Sequence, residues 1–187
     1  MPDIDPSYSG EWRFDPTHTR LGFSTRHAMV TKVRGAFNDV EGVISVNAQD
    51  PTESAVKVTI KVASIDTRNA QRDEHLRTND FFDAPHFPEI TFESTRIDQV
   101  EESSFIVNGQ LTIRGVTREI AVPLEFVGVE RDPMGNLRAG FEGSRRIDRK
   151  DFGLNWNVAL DSGGVLVSDR ILLEFEISAV KTEASQN

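Results

Sequence analysis

The 187-residue chain contains no cysteine and carries a formal net charge of −9, with 37% hydrophobic and 27% charged residues. That length suits one domain with a sizeable core, and the missing thiols exclude disulfides, thiolate metal sites, Fe–S clusters and cysteine nucleophiles. The acidic balance repels phosphate backbones and anionic bilayers, which sets nucleic-acid binding aside.

From the N-terminus, Asp3 and Asp5 stand where a secretory signal would carry basic residues before an apolar run, so a cytoplasmic protein is expected. No stretch of about 18 apolar residues offers a membrane-spanning helix. Residues 1–9 and 182–187 are polar or proline-bearing and are expected to be flexible ends of a single domain over 10–181. Alternating apolar and polar residues, the mark of a strand with one buried face, run over 11–15, 18–30, 33–46 and 56–62. The clearest case is Val56, Val58, Ile60 and Val62 between Lys57, Thr59 and Lys61. One short helix is predicted within 66–82, capped by Asp66 or Thr67.

Further strands follow at 89–97, 104–114, 117–130, 137–148 and 169–180. Arg114-Gly115-Val116 and Asp132-Pro133-Met134-Gly135-Asn136 read as tight antiparallel connections. Asn108-Gly109 is a hairpin signal, but it interrupts an otherwise continuous strand, so a bulge or a close backbone approach competes with the hairpin and the position stays open. So many long strands would leave open edges in a flat sheet. Closing them into an antiparallel barrel of about eight strands, with the one short helix, removes the edges but leaves open whether the interior is packed or hollow.

Motifs for chemistry are sparse. His18, His27, His75 and His86 lack metal-ligand spacing, so no metal site is expected. Asp151-Phe152-Gly153 matches a kinase tripeptide without the loops that give it meaning, and neither a Gly-x-Ser-x-Gly elbow nor a phosphate-cradling loop is present. The carboxylates read as a solvated surface, and the segment from Arg68 to Arg77 as a salt-bridged helix or a gate at a pocket mouth. Twelve phenylalanines against a single tyrosine bring apolar surface without polar handles. Composition alone favours ordinary core over a lipid tunnel.

Several fragments in order carry a resemblance. Trp12-Arg13-Phe14-Asp15-Pro16-Thr17-His18-Thr19, Gly22-Phe23-Ser24-Thr25-Arg26-His27 and Val33-Arg34-Gly35-Ala36-Phe37 resemble the opening of YceI-like proteins. Ile65-Asp66-Thr67, Arg72 to Arg77, Asp80-Phe81-Phe82, Phe87-Pro88, the run Gly109 to Thr117, Gly140-Phe141-Glu142 and Arg149 to Leu154 continue it over residues 10–180. The resemblance implies a lipocalin-like extended barrel that holds a polyisoprenoid or similar lipid, often as a homodimer, with no required cofactor and no defining catalytic residues. The signal peptide of many relatives is not visible here.

With the apolar parity taken as inward, Leu21, Phe23, Met29, Val33 and Phe37 form one expected wall of the pocket, continued by Val58, Ile60 and Phe92. Leu111, Ile113, Phe126, Phe141, Leu154 and Trp156 are further lipid-binding candidates, and Phe81 and Phe82 are placed to close one end. Arg26, His27, Arg72 and Arg77 are the candidate head-group cations. The expected function is a carrier or store for an isoprenoid quinone, a quinone precursor or a polyprenyl phosphate, without catalysis. Two alternatives are an enzyme on lipids or small amphiphiles using His27, Asp73 and His75, and a stress-related structural protein with a solid barrel.

Overall fold

Side-chain alternation along extended backbone, and not helical periodicity, decides the architecture. The computed structural model describes residues 4–162 and 164–182. Its strands are β1 Gly10–Phe14, β2 Arg20–His27, β3 Thr31–Phe37, β4 Val40–Val46, β5 Ala55–Lys61 and β6 Ile65–Asp66. After the helix α1 Ala70–Arg77 come β7 Glu89–Gln99, β8 Ser104–Ile113, β9 Val116–Arg131, β10 Leu137–Asp148 and β11 Arg170–Lys181. Every pairing is antiparallel, and the order β1-β4-β5-β7-β8-β9-β10-β11 returns to β1, which closes an eight-stranded barrel with one short helix.

Three walls of this barrel are long strands broken at one level. β1 pairs with the C-terminal half of β11 and β2 with its N-terminal half, the turn 15–19 lying between them. β3 and β4 are likewise separated at Asn38-Asp39, and β5 and β6 at a 3-10 turn, Val62–Ser64. The run predicted over 33–46 is therefore two strands. Phe37 faces its partner Leu21 and Val40 faces Ile60, so both point inward although they are an odd number of residues apart; the break absorbs the change of phase. Val62, expected in the β5 alternation, sits in the 3-10 turn, where its N–H donates to the Pro88 carbonyl at 3.0 Å.

The barrel is fully zipped at the β1–β4 end and parted at the other in two places. β6 pairs with β3 alone, and the gap towards β7 is filled by residues 67–88. Between β9 and β10 the ladder runs from Leu137↔Arg131 to Glu142↔Glu125 and stops. From there β9 continues with β8 only and β10 with β11 only.

The turns follow from their residues. Arg114 and Gly115, with φ of 50° and 74°, form the two-residue β8–β9 turn that needs positive φ at both positions. In the β9–β10 turn the Asp132 carboxylate accepts from the N–H groups of Met134 and Asn136, both at 3.0 Å. At Asn108-Gly109 no hairpin forms: β8 is continuous, the bulge lies opposite in β7 between Ser94 and Arg96, and a β-carbon on Gly109 would stand 2.5 Å from the Phe92 ring and 2.6 Å from the Glu93 carbonyl oxygen. The helix cap is Asn69, whose side chain accepts from the Arg72 N–H, and not the expected Asp66 or Thr67.

Within the expected flexible ends, residues 1–3 and 183–187 lie outside the described residues. Pro6–Tyr8 form a 3-10 turn, the Tyr8 carbonyl accepts from the Trp12 indole at 2.8 Å, and the Ser9 hydroxyl accepts from the Ala48 N–H at 2.9 Å. The Lys181 ammonium also donates to the Ser7 carbonyl. Residues 6–9 are thus tied to the barrel.

Candidate functional site

The inward-facing rows enclose a cavity of about 220 Å³ in the parted half of the barrel and a second of about 100 Å³ in the zipped half. Val56, Val107 and Leu124 border both, so the two lie end to end along one lumen. Among the described residues that line the larger cavity, Thr25 and Arg149 are the only polar ones. Val56, Ile60, Phe92 and Phe175 point inward yet remain only half-buried, because they face empty space instead of packed atoms.

The lumen stays open because large rings lie down along the wall. Phe23 lies over Gly35, Phe14 over Gly42 and Phe92 over Gly109; a β-carbon at any of these glycines would come within 2.5 Å of the ring. At the parted end Phe23, Phe37 and Phe82 form a contiguous series with ring centroids 5.7 and 5.9 Å apart. Phe81 packs at a tilt of 55° against Trp156, with ring centroids 5.2 Å apart, and the His75 ring packs edge-on against both. Together these rings seal the gap between β6 and β7, held by Arg114, whose guanidinium donates to the Phe81 carbonyl at 2.8 Å.

Of the lipid-binding candidates, Leu21, Phe23, Phe37, Val58, Ile60 and Phe92 line the larger cavity, as do Phe81, Phe82, Leu111, Ile113 and Leu154. Phe126 and Phe141 line the smaller one. Three pocket candidates stand elsewhere. Met29 is 57% exposed with φ of 68°, since β2 ends at His27 and the turn that follows breaks the alternation. Val33 keeps the inward parity opposite Thr25 but lies beyond the cavity wall, near the tip of the β2–β3 hairpin. Trp156 backs Phe81 without lining the space.

The expected head-group cations do not converge on the lumen. Arg72 binds the Thr67 hydroxyl and carbonyl at 2.7 and 2.6 Å, and Arg77 donates to the Ala63 carbonyl at 3.1 Å; both brace the helix against β6. Arg26 is exposed and lies off the cavity wall, and His27 bridges by its backbone to Val167. The acid–base trio is also dispersed in role. Asp73 is buried and accepts from the Thr67 N–H and hydroxyl at 2.9 and 2.5 Å, and His75 pairs with Asp80 at 2.8 Å. No hydrogen bond among the described residues joins His27 to either. His18 and His86 pair with Asp15 and Asp83 of their own turns, and no cluster of three or more potential metal ligands occurs among the described residues.

Sequence reasoning passed over Arg149. It follows β10 in a 3-10 turn, Arg149–Phe152, and is only 3% exposed in the wall of the larger cavity. Its guanidinium donates to the carbonyls of Leu154 at 2.6 Å, Ser168 at 3.1 Å and Val167 at 3.4 Å, pinning the 154–169 loop to the barrel. Burial lowers its pKa from the ordinary arginine value, opposed by Asp169 and Asp148. Asp169 Oδ1, 3.8 Å away, is buried and accepts no hydrogen bond from the described residues. Arg149 lies in a fragment that carried the resemblance, but no spacing rule marks an isolated arginine as buried.

Comparison with known proteins agrees with this geometry. The profile of the YceI-like domain family matches residues 12–179. A UPF0312 protein of Photorhabdus laumondii is 42% identical over 135 residues, 72% of this chain and 70% of its own. The crystal structure of the Campylobacter jejuni YceI protein superposes with a TM-score of 0.72 at 32% identity, covering 84% of this chain and 90% of that one. A polyisoprenoid-binding domain from Saccharophagus degradans shares the fold at 16% identity and a TM-score of 0.69, over 91% of this chain and 98% of its own.

Proposed function

Since the chain belongs to the YceI-like domain family, we propose that its lumen holds the apolar chain of an isoprenoid or similar amphiphilic lipid, for which the protein acts as carrier or store. The observation that carries this reading is the hollow, almost wholly apolar interior. Water there would lack polar partners, and apolar voids of this kind stay dry and take up apolar molecules. A chain filling the space restores the dispersion contacts that the half-buried wall side chains lack, and each methylene removed from water contributes about 0.8 kcal/mol. A few isoprene units then outweigh the cost of association.

The solved relative that is described as polyisoprenoid-binding supports this choice of ligand class. The dispersed roles of His27, Asp73 and His75 favour a binding protein over an enzyme. No helix among the described residues is long and apolar enough to cross a membrane.

The test is mass spectrometry of the organic extract of freshly purified protein, with calorimetric titration of the stripped protein by farnesol. A co-purified long-chain apolar compound, or saturable uptake of farnesol near one per chain, is the expected result. Absence of both would leave a barrel with unused voids and overturn the reading.

A further inference from the structure

The seam between β9 and β10 parts after Glu142↔Glu125, and Gly143 marks the point of separation: a β-carbon there would stand 2.3 Å from the Pro123 carbonyl oxygen. Beyond it, the two facing edges are the stretch of β9 that carries Ile120 and Val122 and the stretch of β10 that carries Ile147, all three on the wall of the larger cavity. The far end of the gap is bounded by the 3-10 turn after β10, where Arg118 Nε donates to the Asp151 carbonyl at 3.1 Å.

Two arginines break the pattern of these rows. Arg118 lies in the same inward row as Ile120 and Val122 and pairs with Leu111, a wall residue. Arg145 lies in the same inward row as Ile147 and pairs with Leu173, another wall residue. In a closed barrel, side chains in these rows would be buried in apolar surroundings, yet both arginines are exposed. The parted seam gives both arginine side chains a way out to solvent, whereas Ile120 and Val122 of the same row stay buried. Among the described residues neither arginine forms an ion pair. Two uncompensated guanidinium groups, one on either edge of an opening into an apolar cavity, suit one ligand geometry: an anionic head group at the rim and an apolar chain inside.

We infer that the β9–β10 gap is the doorway to the lumen and that Arg118 and Arg145 hold the anionic head group of the bound amphiphile there. This rests on the lipid-binding reading of the lumen and adds to it the charge of the head group and its position. Arg149, deeper in the wall, is spent on three loop carbonyls and belongs to the frame of the doorway.

The experiment compares farnesol, farnesyl phosphate and inorganic phosphate by calorimetric titration of the stripped protein and of the double variant Arg118→Gln/Arg145→Gln, whose folding is checked by circular dichroism and thermal denaturation. Wild-type protein is expected to bind farnesyl phosphate at least tenfold more tightly than farnesol, with a preference that shrinks as salt is raised. The double variant should lose that preference and keep its farnesol affinity, and inorganic phosphate should not bind measurably at millimolar concentration. Equal wild-type affinities for the two farnesyl probes, or a preference that survives the double substitution, would overturn the doorway assignment while leaving a lipid-binding lumen. Failure of wild-type protein to bind either farnesyl probe would overturn the lumen reading itself, and this inference with it. Because the two arginines are exposed, the variant is expected to fold; should it not, Arg145→Gln alone, which removes no hydrogen bond, must lower the preference severalfold.

Discussion

The ring of Phe23 lies over Gly35, its direct partner across the β2–β3 pair, so closely that a β-carbon on Gly35 would meet Cζ at 2.5 Å. The ring is flattened against the wall only because its partner has no side chain. Gly35→Val forces Phe23 up into the larger cavity. Overpacking of this kind costs about 1–3 kcal/mol, and the displaced ring takes space meant for ligand. Thermal denaturation should show the loss of stability, and farnesol uptake should fall at least severalfold. A variant of unchanged stability and uptake would mean that the ring has another resting place.

Acid sensitivity should centre on Asp15. Its carboxylate accepts from the Thr17 hydroxyl, His18 Nδ1 and the Arg138 guanidinium at 2.7, 2.8 and 2.7 Å, and the Thr17 bond is the foremost of the influences that hold its pKa far below the ordinary carboxylate value. A group whose pKa is depressed by folding stabilises the fold above its unfolded value, near 3.9, and loses that contribution as pH falls towards the depressed value. Asp15→Asn should therefore lower stability at pH 7 by about 1–3 kcal/mol and flatten the loss of stability below about pH 4. Denaturant titrations of both proteins at several pH values between 2 and 7 check this; parallel curves would refute it.

Asp73 organises the segment that plugs the β6–β7 gap. Removing its carboxylate in Asp73→Ala leaves the buried Thr67 N–H and hydroxyl without their acceptor, at a cost of about 1–3 kcal/mol. Proteolytic cleavage should accelerate within residues 67–88 before the rest of the barrel is attacked. Uniform cleavage across the chain would show that the segment does not open on its own.

Replacing Arg149 tests the frame of the lumen. Arg149→Met keeps the length of the stem but removes the guanidinium donor from the Leu154 and Ser168 carbonyls and leaves the Val167 carbonyl to the Asn157 amide alone, and Arg149→Lys cannot restore the planar fork that reaches all three. Both variants should lose roughly 3 kcal/mol, with hydrogen exchange faster in the 154–169 loop. Full stability of the lysine variant would show that one charge, and not the fork, is what the loop needs.

The sequence made the barrel legible where one face of a strand is buried along its whole length, as at Val56, Val58 and Ile60, and where turn chemistry is local, as at Asp132 and Gly135. It hid features that depend on partners far along the chain. Phe37 and Val40 read as one strand because a phase break two residues long looks like ordinary variation in polarity. Met29 reads as inward because parity continues past a turn that propensity does not announce. Arg118 and Arg145 carry no mark in the sequence, since the parting of β9 from β10 has no local signature. Arg26, His27, Arg72 and Arg77 stand in the sequence as candidate cations for an anionic head group, yet Arg72 and Arg77 are consumed by backbone carbonyls that only the fold brings near.

The interruptions at 15–19, 38–39 and 62–64 share one level of the barrel. A residue inserted between Asn38 and Asp39 would leave Phe37 opposite Leu21 and Val40 opposite Ile60, because each ladder is complete on its own side of the break. The same insertion in the uninterrupted β8 would turn Leu111 and Ile113 outward and Thr112 into the lumen. One wall of this molecule can change length without inverting its faces and the opposite wall cannot, so a cavity of a different size can be reached from this chain by editing the three interrupted strands alone.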